Sequence, residues 1–244
     1  SEREDLLRLI EEVIRELIKL LETNLRLNEE TIRTLIRLIK KDLDLNRRSV
    51  EELVKLLKER VRDEEKLRKV LEDLERILRK IEKVNRDVIE KLKEILKELR
   101  KIHERVIREL ERILEELARV VEKLDSEDLA RVILDILRKA ADVLREVLER
   151  SERVTDKIAE VVEEVLRLNR EMVREIIEVL KKVLDSEAAD EVRKKLAEDE
   201  RLNDKSLEEL KRILDKDREI NRRVAEKLTR ILETLRKIIE DVAR

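Results

Sequence analysis

The chain has 244 residues and contains no Gly, Pro, Cys, Phe, Trp or Tyr, although average usage would supply roughly 29 Gly and Pro residues. Lys and Arg total 61 against 63 Asp and Glu, a net charge of −2. This balance excludes disulfides and thiol chemistry and gives neither the basic surface nor the stacking aromatics of a nucleic-acid binder. With no apolar run near roughly 18 residues and no apolar leader segment, it predicts no membrane span.

Charged residues make up 51% of the chain and hydrophobic residues 41%, the latter supplied by Leu, Ile, Val and Ala with one Met, Met172. Regular apolar spacing at that composition reads as long helices and not as disorder. Met172 reads as a gap filler in the core.

The first helix is expected over about residues 2–61. Between Leu6 and Glu59 one pattern is written three times: LLRLIEEVIRELIKLLET, NLRLNEETIRTLIRLIKK and DLDLNRRSVEELVKLLKE. Each copy is about five turns at 3.6 residues per turn, so equivalent positions point the same way. Where the first copy has Leu6, Ile10 and Val13, the next two have Asn24, Asn28 and Thr31, then Asp42, Asn46 and Ser49. Polar residues therefore enter an inward stripe. The pattern restarts after Arg62-Asp63, giving a second helix over about 64–124, in which Asn85 and His103 fall on the same ladder.

Breaks at Leu124-Asp125-Ser126 and Leu184-Asp185-Ser186 bound a third helix, about 127–184, and a fourth, about 187–244. The third carries Ser151, Thr155 and Asn169 on its ladder. The fourth carries Asp199, Asn203, Ser206, Asp217 and Asn221. At each break an Asp or Ser is placed to cap the next helix, and Glu64, Glu127 and Glu187 put negative charge at the positive end of its dipole. Asp42 to Asn46 and Asp199 to Ser206 would pass for loops on composition alone. However, Leu43 and Leu45 keep the frame of Leu25 and Leu27, which places such a cluster inside a helix. Each segment would be roughly 90 Å long.

An up-down-up-down arrangement tests whether these stripes meet. Antiparallel neighbours pair residues whose numbers add to a constant. Asn24 with His103 and Asp42 with Asn85 both add to 127. His103 with Ser151 and Asn85 with Asn169 both give 254, while Ser151 with Asn221 and Asn169 with Asn203 both give 372. The fourth helix closes on the first with Asn28–Asn221 and Asn46–Asn203, both 249. The expected fold is thus an all-α, single-chain, antiparallel four-helix bundle of long, nearly straight helices, one domain over 1–244. It carries two polar layers about 27 Å apart by helical rise. One contains Asn24, Asn28, Thr31, His103, Ser151, Thr155, Asp217 and Asn221. The other contains Asp42, Asn46, Ser49, Asn85, Asn169, Asp199, Asn203 and Ser206.

The layers read as buried hydrogen-bonding groups that fix helix pairing and register. A slipped bundle would bury them against aliphatic side chains, at about 1–3 kcal/mol for each unsatisfied group. A metal centre fits poorly, because His103 is the only histidine and di-iron bundles use two Glu-x-x-His motifs. His103 with Asp217 would make at most a mononuclear site. Acid–base work by that pair, or attack by Ser151, needs a cavity and an oxyanion site that no motif encodes. On the outside, Glu11–Arg15, Glu22–Arg26, Glu104–Arg108, Glu115–Arg119 and Glu208–Arg212 are spaced as favourable helical pairs.

Short Asp-Ser-Glu turns, four equal helices, aliphatic layers and isolated Asn/Ser/Thr/His layers resemble de novo designed helical bundles with buried hydrogen-bond networks. The resemblance covers the whole chain. It implies a structural scaffold or assembly part with no natural biochemical function, no enzymatic activity and no catalytic, cofactor or metal site. No nucleic acid, membrane or small molecule is expected as a partner. The expectation is a monomer, soluble and cytoplasmic on recombinant expression, with self-association or a designed assembly as the other state. One departure is the lack of Gly at the turns, where a left-handed residue is often wanted. The rival reading is an interaction module of two associating helical hairpins, 1–124 and 125–244. A natural coiled-coil filament is disfavoured by an 18-residue frame in place of heptads.

Overall fold

The computed structural model describes residues 2–123 and 126–243, and all of these are helical apart from residues 61–63 and 182–185. The helices are α1 (Glu2–Arg60), α2 (Glu64–Lys123), α3 (Ser126–Lys181) and α4 (Ser186–Ala243). The chain is an all-α four-helix bundle. Neither Asp42–Asn46 nor Asp199–Ser206 interrupts its helix. Among the described residues no helix is long and apolar enough to cross a membrane.

The turns work without glycine. Asp63 opens α2 as a cap: its Oδ1 accepts from the backbone N–H of Glu65 at 3.1 Å and of Lys66 at 3.4 Å. Its carbonyl accepts from Leu67 N at 3.0 Å. Asp185 does the same for α4, with Ala188 N on Oδ1 at 2.9 Å and Ala189 N on its carbonyl at 2.8 Å. Each cap satisfies N–H groups that have no partner inside the helix. At the end of α3 the carbonyl of Leu180 accepts from both Val183 N and Leu184 N, at 3.2 and 3.1 Å. That shared acceptor tightens the last turn, so α3 stops at Lys181 and not at the expected residue 184. Among the described residues none has positive φ. Leu124 and Asp125, in the expected second turn, lie outside the described residues.

Contacts divide the chain into two compact units, each drawing on all four helices. The first comprises Ser1–Glu30, Ile95–Asp156 and Asp215–Arg244, and the second Thr31–Glu94 and Lys157–Leu214. In the first, Ile10, Ile14, Leu17 and Leu21 of α1 pack with Val106 and Leu110 of α2, Ile133 and Leu144 of α3 and Leu228 of α4. In the second, Leu53 and Leu57 of α1 pack with Leu74 and Ile81 of α2, Ile176 and Leu180 of α3 and Leu196 of α4. Full burial of each such side chain contributes about 1.5–3 kcal/mol, set against the conformational entropy lost in ordering it.

Ion pairs report the helix register inside each unit. Arg47–Glu82 joins α1 to α2 in the second unit at 2.8 Å, and Arg100–Glu29 joins the same helices in the first at 2.5 Å. Both pairs add to 129, close to the expected 127. Arg105–Glu146 links α2 to α3 and adds to 251, against an expected 254. Arg218–Asp156 in the first unit and Arg170–Asp204 in the second link α3 to α4, and both add to 374 against 372. Ser49 bonded to Asp199 links α1 to α4 at 248 against 249. The small offsets follow from reach: long Arg side chains bridge to a partner about half a turn away from the residue directly opposite.

Candidate functional site: two polar layers in an aliphatic interior

The first unit buries Asn24, Asn28, His103, Ser151, Thr155, Asp217 and Asn221, and the second buries Asp42, Asn46, Asn85, Asn169 and Asn203. Thr31, Ser49, Asp199 and Ser206 are half-buried. Thr31 falls just inside the second unit. Every buried polar side chain among the described residues belongs to one of the two expected sets. The remaining buried positions are aliphatic, with Met172 inside the core of the second unit.

In the first unit Asn28 Nδ2 donates to Asn24 Oδ1, one turn away, at 3.5 Å. Thr155 Oγ1 donates back to the Ser151 carbonyl at 3.0 Å and accepts from Asn221 Nδ2 on α4 at 3.3 Å. This last bond crosses between helices. His103, with 0% of its surface exposed, meets the Leu99 carbonyl through Nδ1 at 2.9 Å. A carbonyl only accepts, so Nδ1 carries a hydrogen. Burial pushes the imidazole below its ordinary 6.5, against smaller upward pulls from the Leu99 hydrogen bond and the Glu29 charge. The acid that acts on His103 from the neighbouring helix is thus Glu29. The alternation of the sequence does not single it out, but the pairing register does, because Glu29 and Arg100 flank the level of Asn28 and His103.

In the second unit Asn169 Nδ2 on α3 donates to Asp42 Oδ2 on α1 at 3.0 Å. The Asp42 carboxyl is raised from 3.8 to about 6, the net of burial, which lifts it most, the Asn169 bond, which pulls it down, and the Asp199 charge, which pushes it up. Asp199 is also raised, first by burial and then by Glu52 and Glu198, against the lowering effect of the Ser49 hydroxyl. Two acids on adjacent antiparallel helices therefore share this layer with neutral donors. Beside Asp42 and Ser206 lies a cavity of about 10 Å³, closed by Leu38, Ile39 and Val162 among others. Room for one water needs about 10–15 Å³.

The layers are not saturated with hydrogen bonds. Among the described residues, Asn24 Nδ2, Asn28 Oδ1, His103 Nε2, Ser151 Oγ and Asn221 Oδ1 in the first unit have no partner. In the second, Asp42 Oδ1, both polar atoms of Asn85, Asn169 Oδ1 and Asn203 Oδ1 have none. The physical reason is spacing. Branched aliphatic layers above and below set the helix separation, and Asn or Ser is no longer than the Leu it replaces, so partners across the interior do not all come within reach.

Ser151 Oγ makes no hydrogen bond, so no general base is seated against it. Among the described residues no three His, Cys, Asp or Glu side chains converge as a metal site requires. A groove of about 320 Å³ between α3 and α4 in the first unit is floored by Leu134, Leu144, Leu148, Leu228 and Leu232, with Arg138 and Glu233 on its rim. No member of either polar layer lines it. Thr155 and Asn221 instead border a second groove between the same helices, of about 440 Å³. Of the expected helical pairs, Glu104–Arg108 takes a different form, with Arg108 Nε on the Glu104 main-chain carbonyl at 3.3 Å. No family model, curated protein or solved structure matches the chain.

Proposed function

We propose that this chain is a designed structural scaffold whose polar layers restrict which helices pair and at what level. The observation that carries the reading is the placement of twelve buried polar side chains on inward stripes of all four helices, in an interior otherwise aliphatic. A Leu or Ile surface tolerates many partners. An Asn, Ser or His in it tolerates only those that keep the group near another polar group, because stranding it costs about 1–3 kcal/mol. The absence of Gly, Pro and aromatic residues over 244 positions supports a designed origin. The unsaturated atoms are consistent with this role, since mismatched pairings are penalised even where matched pairings are only partly bonded.

The test replaces Asn46, Asn85 and Asn203 by Leu together and follows mass by light scattering across concentration. The parent should remain one species of 29.4 kDa, while the aliphatic variant should be more resistant to denaturant and form mixed associates. A variant that stays a single monomer would remove the specificity role. A parent that dimerises reversibly would point instead to a module that associates through its hairpins.

A further inference from the structure

We propose that mild acid acts on the two units in opposite senses, firming the layer that holds Asp42 and Asp199 and loosening the layer that holds His103. The second unit places Asp42 on α1 and Asp199 on α4, held by the Asn169 amide and the Ser49 hydroxyl. Asp42 is 9% exposed, and its Oδ1 has no donor. Two of the arginines near this layer are held by other acids. Arg47 of α1 is taken by Glu82 of α2, and Arg170 of α3 by Asp204 of α4. Glu52 and Glu198 add negative charge beside Asp199. A buried acid among acids and neutral donors is relieved by taking up a proton. The new hydroxyl of Asp42 would face the cavity it shares with Ser206.

The first unit is built the other way. His103 on α2 spends its one hydrogen on Leu99 O and leaves Nε2 with no partner. The charge that acts on it is Glu29 of α1, engaged by Arg100, and the exposed Arg105–Glu146 pair joins α2 to α3 nearby in sequence. Asp217 of α4 shares its layer. Protonation would place a second N–H at Nε2, a buried atom that makes no hydrogen bond.

The signs follow from linkage. Asp42 is raised from 3.8 to about 6, so as pH falls the folded form takes the proton first, and stability is gained below about 6 until the unfolded chain also titrates near 3.8. His103 is lowered from 6.5, so the unfolded form takes the proton first and stability is lost as pH falls through 6.5. Going from pH 7.5 to pH 5, the Asp42 contribution should favour the folded second unit about tenfold. This holds whether or not the layers act as register locks.

Hydrogen exchange read by mass spectrometry, corrected for the intrinsic pH dependence of exchange, resolves the two units in the whole protein. Between pH 7.5 and pH 5, protection over residues 36–50 and 196–206 should rise, while protection over 20–29 and 99–107 should fall. Asp42→Asn should remove the rise, Asp199→Asn should reduce it, and His103→Leu should remove only the fall. Protection that moves in one direction in both units overturns the proposal. So does an Asp42→Asn variant that keeps the full rise.

Discussion

Asn169 on α3 reaches Asp42 on α1 through a single amide hydrogen bond of 3.0 Å, and it is a neutral group that holds a buried acid. An arginine in that place would fix the carboxylate as an anion. An amide bonds to it without settling its charge, so the proton occupancy of Asp42 is left to burial and to its acidic neighbour.

Replacing Asn169 by Leu should therefore raise the Asp42 midpoint further above about 6, since the bond is the influence that lowers it. Loss of a hydrogen bond to a charged group costs about 1.5–3 kcal/mol. That cost should appear at pH 8, where Asp42 is ionised, and shrink at pH 5. Carboxyl carbon chemical shifts and denaturant melts at both values check this, and equal losses at the two values would count against it.

The imidazole of His103 should titrate below 6.5 and carry its hydrogen on Nδ1 when neutral, as nitrogen chemical shifts would report. Arg100 holds Glu29 at 2.5 Å. Arg100→Gln should free that carboxylate to act on His103 and move the midpoint up, whereas Glu29→Gln should move it down. Opposite displacements from the two halves of one ion pair distinguish charge from packing.

The caps give a local test. Asp63→Ala and Asp185→Ala each remove an acceptor from the first turn of the following helix. Each should cost about 0.5–2 kcal/mol. Asp63→Asn and Asp185→Asn should recover most of it, because an amide oxygen caps nearly as well. Urea melts of the four variants decide the point.

Leu17 and Leu110 are fully buried in the first unit and Leu57 and Leu74 in the second. Truncating any one to Ala should cost about 2–5 kcal/mol. The parent should still melt above about 90 °C, because its helices are uninterrupted by Gly or Pro and each unit has an aliphatic core. A cooperative transition near about 55 °C by circular dichroism would contradict this.

The helices were legible because nothing in the chain disguises them: with no Gly or Pro, a break in phase is the available signal of a turn, and Asp63 and Asp185 stand at such breaks. Membership of the interior was legible for the same reason. Thr31 and Ser49 show the margin. At 100° per residue both sit about 60° from the middle of the buried stripe of α1, so they end half-buried at its edge. Bonding was not legible. Whether Asn85 finds a partner depends on rotamer and helix separation, and periodicity carries neither. The influence of Glu29 on His103 was hidden too, since it rests on the level at which α1 meets α2. The end of α3 was missed because the choice of Leu180 as a shared acceptor is a matter of local geometry.

Each unit is assembled from distant stretches of chain, and this bears on synthesis. A ribosome adds residues in order, but the second unit needs α4 as far as Leu214 and the first needs the stretch that begins at Asp215. Neither can close around a half-made chain. Until α4 emerges, the inward stripes of the first three helices lack one of the four walls that close over them, and polar residues on those stripes make the open side easier to hydrate.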